Sequence, residues 1–286
     1  DALPIYPHEP QKRRQEALAA VSGLIERHRI EAIAVGNGTA GRETESLMRE
    51  AAASGRASAP AAPAPSGRAQ EERKDRRIPV FLVSEDGASV YSASDIGREE
   101  FPEHDVTVRG AVSIGRRLMD PLSELVKIDP KALGIGQYQH DVEQKALKKA
   151  LDAVVESCVN SVGVDLGTAG QYLLRYVSGL GPKTAQEIVA YRDRYGSFGS
   201  REELRSVPGL GPKVFQQCAG FLRIPGAENP LDGSAVHPES YHIVEHMARE
   251  LSATPRELMR DASLRSRLDL ADYVTEDTGL PTLQAI

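Results

Sequence analysis

Between residues 10 and 30 the apolar positions Ala17, Leu18, Val21, Leu24 and Ile25 recur with a helical period. The run Ile30-Glu31-Ala32-Ile33-Ala34-Val35 then reads as a buried strand, ending at Gly36-Asn37-Gly38-Thr39. A helix is predicted over about 42–53, and Pro79-Val80-Phe81-Leu82-Val83 reads as a second strand. Strand, helix, strand in this order predicts an α/β layer with parallel strands. The intervening stretch 51–77 is rich in Ala, Pro and Ser, then charged, and has no apolar period. Such a composition predicts a mobile insertion loop.

Farther on the pattern is helical. Arg109–Leu118 predicts one helix, and Asp120-Pro121 starts another with Asp120 as its cap. Asp129-Pro130 makes a turn. Asp141 and Gln144 suit the cap and third position of a long helix reaching about Cys158. Thr168 is expected to cap a short helix, and Ser200 with Glu203 to form a capping box. After Pro230, helices are predicted near Ser240–Leu251 and Thr254–Met259, followed by a polar segment at 268–286.

One string occurs twice, thirty positions apart: Ser178-Gly179-Leu180-Gly181-Pro182-Lys183 and Pro208-Gly209-Leu210-Gly211-Pro212-Lys213. Each copy lies between an apolar helical run and another helix, which is the helix-hairpin-helix pattern in tandem. The glycines permit positive φ and close backbone approach, and proline suits the first helical position. The free amides of the next turn then face outward at the positive end of the helix dipole, an anion site. Backbone phosphate is the natural anion. The residues expected to hold it are Gly179, Leu180, Gly181, Lys183 and Thr184, with Gly209, Leu210, Gly211, Lys213 and Val214. Tyr191, Tyr195 and Phe198 nearby read as core.

The 286 residues carry a net charge of −6, which at first argues against nucleic acid. The distribution reverses that reading. Gln171–Ile224 has eight Lys/Arg against four acids, a net of +4, whereas Pro225–Ile286 has five Arg against eleven acids, a net of −6. No apolar stretch is long enough for a membrane span, and Asp1-Ala2-Leu3-Pro4 does not begin a signal-peptide pattern. Cys158 and Cys218, each within an apolar helical pattern, read as buried thiols of a reducing compartment.

Several longer strings resemble the Tex family of bacterial transcription accessory proteins. They include Asp86-Gly87-Ala88-Ser89-Val90-Tyr91-Ser92-Ala93-Ser94, Asp105-Val106-Thr107-Val108-Arg109-Gly110-Ala111 and Glu124-Leu125-Val126-Lys127-Ile128-Asp129-Pro130. Gly134-Ile135-Gly136-Gln137-Tyr138-Gln139-His140-Asp141-Val142, Asn229-Pro230-Leu231-Asp232, Ala235-Val236-His237-Pro238-Glu239 and Gly279-Leu280-Pro281-Thr282-Leu283 extend the match. The resemblance implies a partial RNase-H-like α/β domain of the YqgF type at 1–130, a connecting helix at 131–165, tandem helix-hairpin-helix elements at 166–225 and a small helical domain at 226–286. It also implies that the chain starts after the first strands of that domain, leaving an exposed sheet edge, and stops before an OB-fold RNA-binding domain. RNA or single-stranded DNA is the implied ligand and the transcription machinery the setting; a cytoplasmic monomer is expected.

Other chemistries are weighed against this binder. An RNase-H-like nuclease needs converging carboxylates on two metal ions. Glu85 falls where the resemblance expects the middle acid, but the late helix carries Arg116 and Arg117 and no acid before Asp120. His242-Ile243-Val244-Glu245-His246 matches H-x-x-E-H without an evident third ligand. Gly134-Ile135-Gly136 lacks the Gly-Lys-Ser/Thr of a P-loop. The expectation is a scaffold without catalytic residues, metal or cofactor, binding phosphates with little regard to sequence. The alternatives are a metal-dependent structure-specific nuclease, and a protein-interaction hub using the acidic C-terminal helices.

Overall fold

The computed structural model describes residues 2–54, 78–134, 136–275 and 278–286. The chain divides into two compact units, Asp1–Gln137 and Tyr138–Ile286. In the first, α1 (Arg14–His28) is followed by β1 (Ile33–Gly36), α2 (Gly41–Ser54) and β2 (Val80–Val83). The two strands pair in parallel, Ile33 opposite Val80 and Gly36 opposite Val83, as the strand-helix-strand order predicts. Val35 and Val80 join Ala17 and Ile25 of α1 and Leu47, Met48, Ala51 and Ala52 of α2 in one buried cluster. The insertion therefore starts later than residue 51, because Ala51 and Ala52 are core. The rest of it, 55–77, lies outside the described residues.

Helices α3 (Ala88–Ala93), α4 (Asp95–Glu100), α5 (Val106–Met119) and α6 (Pro121–Leu125) complete the unit. Three have side-chain caps: Ser94 accepts from the Gly97 N–H, Asp105 from Val108 and Asp120 from Ser123. Each satisfies an amide that the first helical turn leaves free. A partly buried polar network lies among them. Glu100 accepts from the Tyr91 hydroxyl, from Arg116 and from Lys127, and Lys127 also donates to Glu124 at 3.1 Å. Burial raises the Glu124 carboxyl above its ordinary range. It acts in the same sense on Glu100, where the bonds from Tyr91 and Lys127 outweigh it and leave that carboxyl below its ordinary range.

The second unit begins with α7 (Gln144–Val162). Glu143, not Asp141, caps it, accepting from the Lys145 and Ala146 amides. The hairpins follow as α8 (Gln171–Leu174), α9 (Pro182–Tyr195), a 3-10 turn at Arg201–Ser206 and α10 (Pro212–Cys218). Gly170, not Thr168, occupies the N-cap of α8. Ser200 makes no cap either: Glu203 reaches past it to the Gly199 amide at 3.0 Å. Two-residue strands β3 (Val164–Asp165) and β4 (Leu222–Arg223) pair in parallel and join the two ends of the module. The repeat is visible in the core, where Leu174 and Leu204, Val177 and Val207, and Leu180 and Leu210 are all buried. Cys218 is buried in α10, whereas Cys158 is exposed, against expectation.

The remaining residues form α11 (Tyr241–Glu250), α12 (Pro255–Arg260), α13 (Ala262–Arg265) and α14 (Leu280–Ala285). They pack around Leu231, Val244, Met247, Leu258 and Leu283. A capping box between Thr254 and Glu257 starts α12. Among the described residues no helix is long and apolar enough to cross a membrane.

Candidate nucleic-acid interface

The two hairpin turns share one backbone geometry. Gly179 and Gly209 adopt φ of +84° and +83°, a region that L side chains avoid. Gly181 and Gly211 are extended N-cap residues, each followed by proline at the first helical position and neither helped by a side-chain cap. The first backbone bonds at these ends run from Ala185 to the Gly181 carbonyl and from Phe215 to the Gly211 carbonyl. The amides of Lys183 and Thr184, and of Lys213 and Val214, therefore form the open first turn. Lys183 and Lys213 are exposed beside them.

Leu180 and Leu210 do not belong with these groups. Their side chains are buried, and their amides donate to the carbonyls of Val177 and Val207 at 3.0 and 3.1 Å. They pin the turn and present nothing outward. The first turn is also held from α7: Asn160 accepts from the Ser178 amide at 3.0 Å and donates to the Tyr176 carbonyl at 3.0 Å. The turns differ in surroundings. A Cβ on Gly179 would lie 2.6 Å from the Gln217 Cβ of α10, whereas Gly209 faces open space.

The local charge is smaller outside than its sum. Arg192 donates to the carbonyls of Leu166 and Ala169. Arg223 turns back to the Gly220 carbonyl. Arg201 is 1% exposed and bonds the carbonyls of Leu222, Leu231, Ser234 and Val236 and the Tyr241 hydroxyl. Tyr241 in turn donates to Asp232 at 2.7 Å. These three cations stabilise the fold from within. Arg205 is exposed but paired with Glu202 and stacked over the Phe215 ring. Arg175, Lys183, Arg194 and Lys213 remain as exposed cations.

In the first unit, Glu85 lies at the end of β2, with its amide donating to the Asn37 side chain. Its carboxylate covers the loop between β1 and α2, where a Cβ on Gly36 would lie 2.6 Å from Glu85 Oε2 and one on Gly38 would overlap the carboxylate. Gly36, Gly38 and Gly41 have the G-x-G-x-x-G spacing of dinucleotide loops, a feature absent from the sequence reading. Here the protein's own carboxylate accounts for the first two glycines, and the Gly36 carbonyl, 2.6 Å from a Cβ on Gly41, accounts for the third. Arg117 of α5 is buried beside this point, donating to the Ser84 and Asp86 carbonyls at 2.8 and 2.9 Å. His242, Glu245 and His246 lie on the exposed side of α11, with the His246 ring edge-on to Tyr273. Among the described residues no three His, Cys, Asp or Glu converge as a metal site.

Residues 1–119 match the Tex protein YqgF-like domain, 159–223 a helix-hairpin-helix motif and 229–286 an HHH domain. The chain is 48% identical over its whole length to Protein tex of Bordetella pertussis, covering 34% of that protein. It is 48% identical over 283 residues, 99% of the chain, to the transcriptional accessory protein Tex of Neisseria gonorrhoeae, again covering 34% of it. The human S1 RNA-binding domain-containing protein 1 is 44% identical over 196 residues, 67% of this chain and 18% of that protein. The chain thus spans about a third of the length of its bacterial curated relatives.

Proposed function

This chain belongs to the Tex family, and from that premise we propose that its tandem hairpins bind nucleic acid through backbone phosphates. The observation that carries the reading is the duplicated turn. Two positive-φ glycines, two uncapped helix starts and two exposed lysines recur thirty residues apart. Helix termini and lysines together anchor phosphates without reading bases. RNA or single-stranded DNA is the ligand we favour, with little sequence preference, and the transcription machinery in the cytoplasm is the setting.

The first unit serves this function as a scaffold, not as a nuclease. Two-metal cleavage needs opposed carboxylates. Here α5, where a late-helix acid would be needed, instead places the Arg117 guanidinium against the backbone around Glu85.

Fluorescence anisotropy with labelled single-stranded RNA, single-stranded DNA and duplex DNA, across a salt series, tests the reading. The double variant Lys183→Glu, Lys213→Glu is expected to weaken binding to every ligand. Its log K against log salt should flatten by about 1.4 on single strands, or about 0.7 per lost phosphate contact. Unchanged affinity in a folded double variant overturns the phosphate assignment. Cleavage that requires a divalent metal and is lost in Glu85→Gln overturns the scaffold assignment.

A further inference from the structure

Against the core position expected of it, Tyr195 is 67% exposed at the last position of α9, while Phe198 is 4% exposed. Between them, Tyr191 stacks on Phe198 with ring centroids 5.2 Å apart and planes 14° apart. Tyr195 follows at 4.7 Å from Tyr191. The three rings form a ladder from the core to the surface. Arg194 lies beside the outer ring, its guanidinium carbon 6.0 Å from the centroid. Gly196, with φ of +95°, ends the helix directly after it and leaves the ring uncovered by the following chain.

The hairpin fold does not require this ring. Thirty residues on, the position equivalent to Tyr195 is Pro225, and α10 ends at Cys218. The ring therefore belongs to the first copy and not to what the two copies share. We infer that Tyr195, flanked by Arg194, is a stacking platform for an unpaired nucleobase. The inference rests on the phosphate-binding reading of the same module and gives a physical basis for its preference for single strands. Every base has a π-face, so such a platform holds a base without reading its identity, and a neighbouring guanidinium strengthens it. A duplex keeps its bases stacked on each other and gains nothing there. The ring lies about 18 Å along the helix axis from Lys183, a span that a short oligonucleotide covers.

The chain has no tryptophan, so Tyr195→Trp introduces a single reporter. Dodecameric oligouridylate should quench its emission saturably, with the midpoint seen by anisotropy of the labelled strand, whereas a duplex RNA of equal length should not. Tyr138→Trp, at an exposed position remote in sequence, should not respond. Tyr195→Ala should weaken oligouridylate binding by about 5- to 150-fold, the equivalent of ~1–3 kcal/mol per stacked base. Duplex affinity and salt slope should be unchanged. Emission of the Tyr195→Trp variant that stays constant while anisotropy reports bound oligouridylate overturns the platform and leaves the phosphate reading intact. Equal losses on single strand and duplex in Tyr195→Ala overturn it as well. Binding that survives Lys183→Glu with Lys213→Glu but fails in Tyr195→Ala would remove the phosphate reading and keep the platform. No binding of either ligand by the unaltered chain removes both.

Discussion

Gly179 and Gly209 form a matched pair for separating backbone strain from packing. Their φ values agree within a degree, so alanine at either position meets the same left-handed penalty, about 1–2 kcal/mol. Only Gly179 has a neighbour in the way. Its new Cβ would stand 2.6 Å from the Gln217 Cβ, where carbon atoms prefer about 3.5–4.0 Å. Because a Cβ moves only with its backbone, α10 must shift by about 1 Å. Overpacking of that kind costs about 1–3 kcal/mol more. Gly209→Ala is therefore expected to destabilise the hairpin module by about 1–2 kcal/mol, and Gly179→Ala by about 2–5 kcal/mol. Two compact units need not unfold together, so the probe should report on the hairpins alone. Trapping of the Cys218 thiol in a urea series does this, since Cys218 is fully buried in α10, with Cys158→Ser as background. Equal midpoint shifts in the two variants, or a larger shift for Gly209→Ala, would refute the assignment of Gly179 to a packing contact.

The two thiols themselves should differ sharply. Cys158 is exposed, whereas Cys218 is buried and its thiol is pushed up to about 12 by that burial, so iodoacetamide should label Cys158 in the native protein and Cys218 only on unfolding; equal native labelling rates would contradict the described packing. Glu100→Gln removes the charged acceptor of Tyr91, Arg116 and Lys127 and is expected to destabilise the first unit by about 2–4 kcal/mol at neutral pH. The sign with pH follows from the depressed carboxyl: its contribution is present above the ordinary carboxylate range and is lost as pH falls through the lower folded value. The gap between the unaltered chain and Glu100→Gln in thermal unfolding should therefore close in acid, and a gap independent of pH would show that the carboxylate is not what Lys127 and Tyr91 require.

What could be read from the chain was local. A positive-φ turn calls for glycine and a helix start accepts proline, and each rule involves a few consecutive residues. Gly179, Gly209, Pro182 and Pro212 were legible for that reason, as was the Asp120 cap. Choices among competing side chains were not legible. Glu143 took the cap expected of Asp141, and Glu203 passed Ser200 to reach Gly199, because the path of the preceding chain decides which oxygen meets which amide. The two-residue strands β3 and β4 carry no periodicity, and their pairing depends on residues more than fifty positions apart. Charge failed as a guide in the same way. Arg192, Arg201 and Arg223 count in a sum over 171–224, yet their guanidinium groups face carbonyls of the protein itself. Tyr195 and Phe198 read alike from sequence, and only the end of α9 separates exposed ring from core.

The Arg201 guanidinium carries a consequence for how this stretch of chain can be divided. It projects from the second hairpin, but the carbonyls of Leu231, Ser234 and Val236 and the Tyr241 hydroxyl that receive it come from the chain beyond Pro225. A cut near that proline would leave a buried cation without most of its acceptors on one side and a set of orphaned carbonyls on the other. The segments 159–223 and 229–286, separate as family matches, are tied together by this bond network. Separating them is expected to destabilise both, because a buried guanidinium that loses its acceptors is costly.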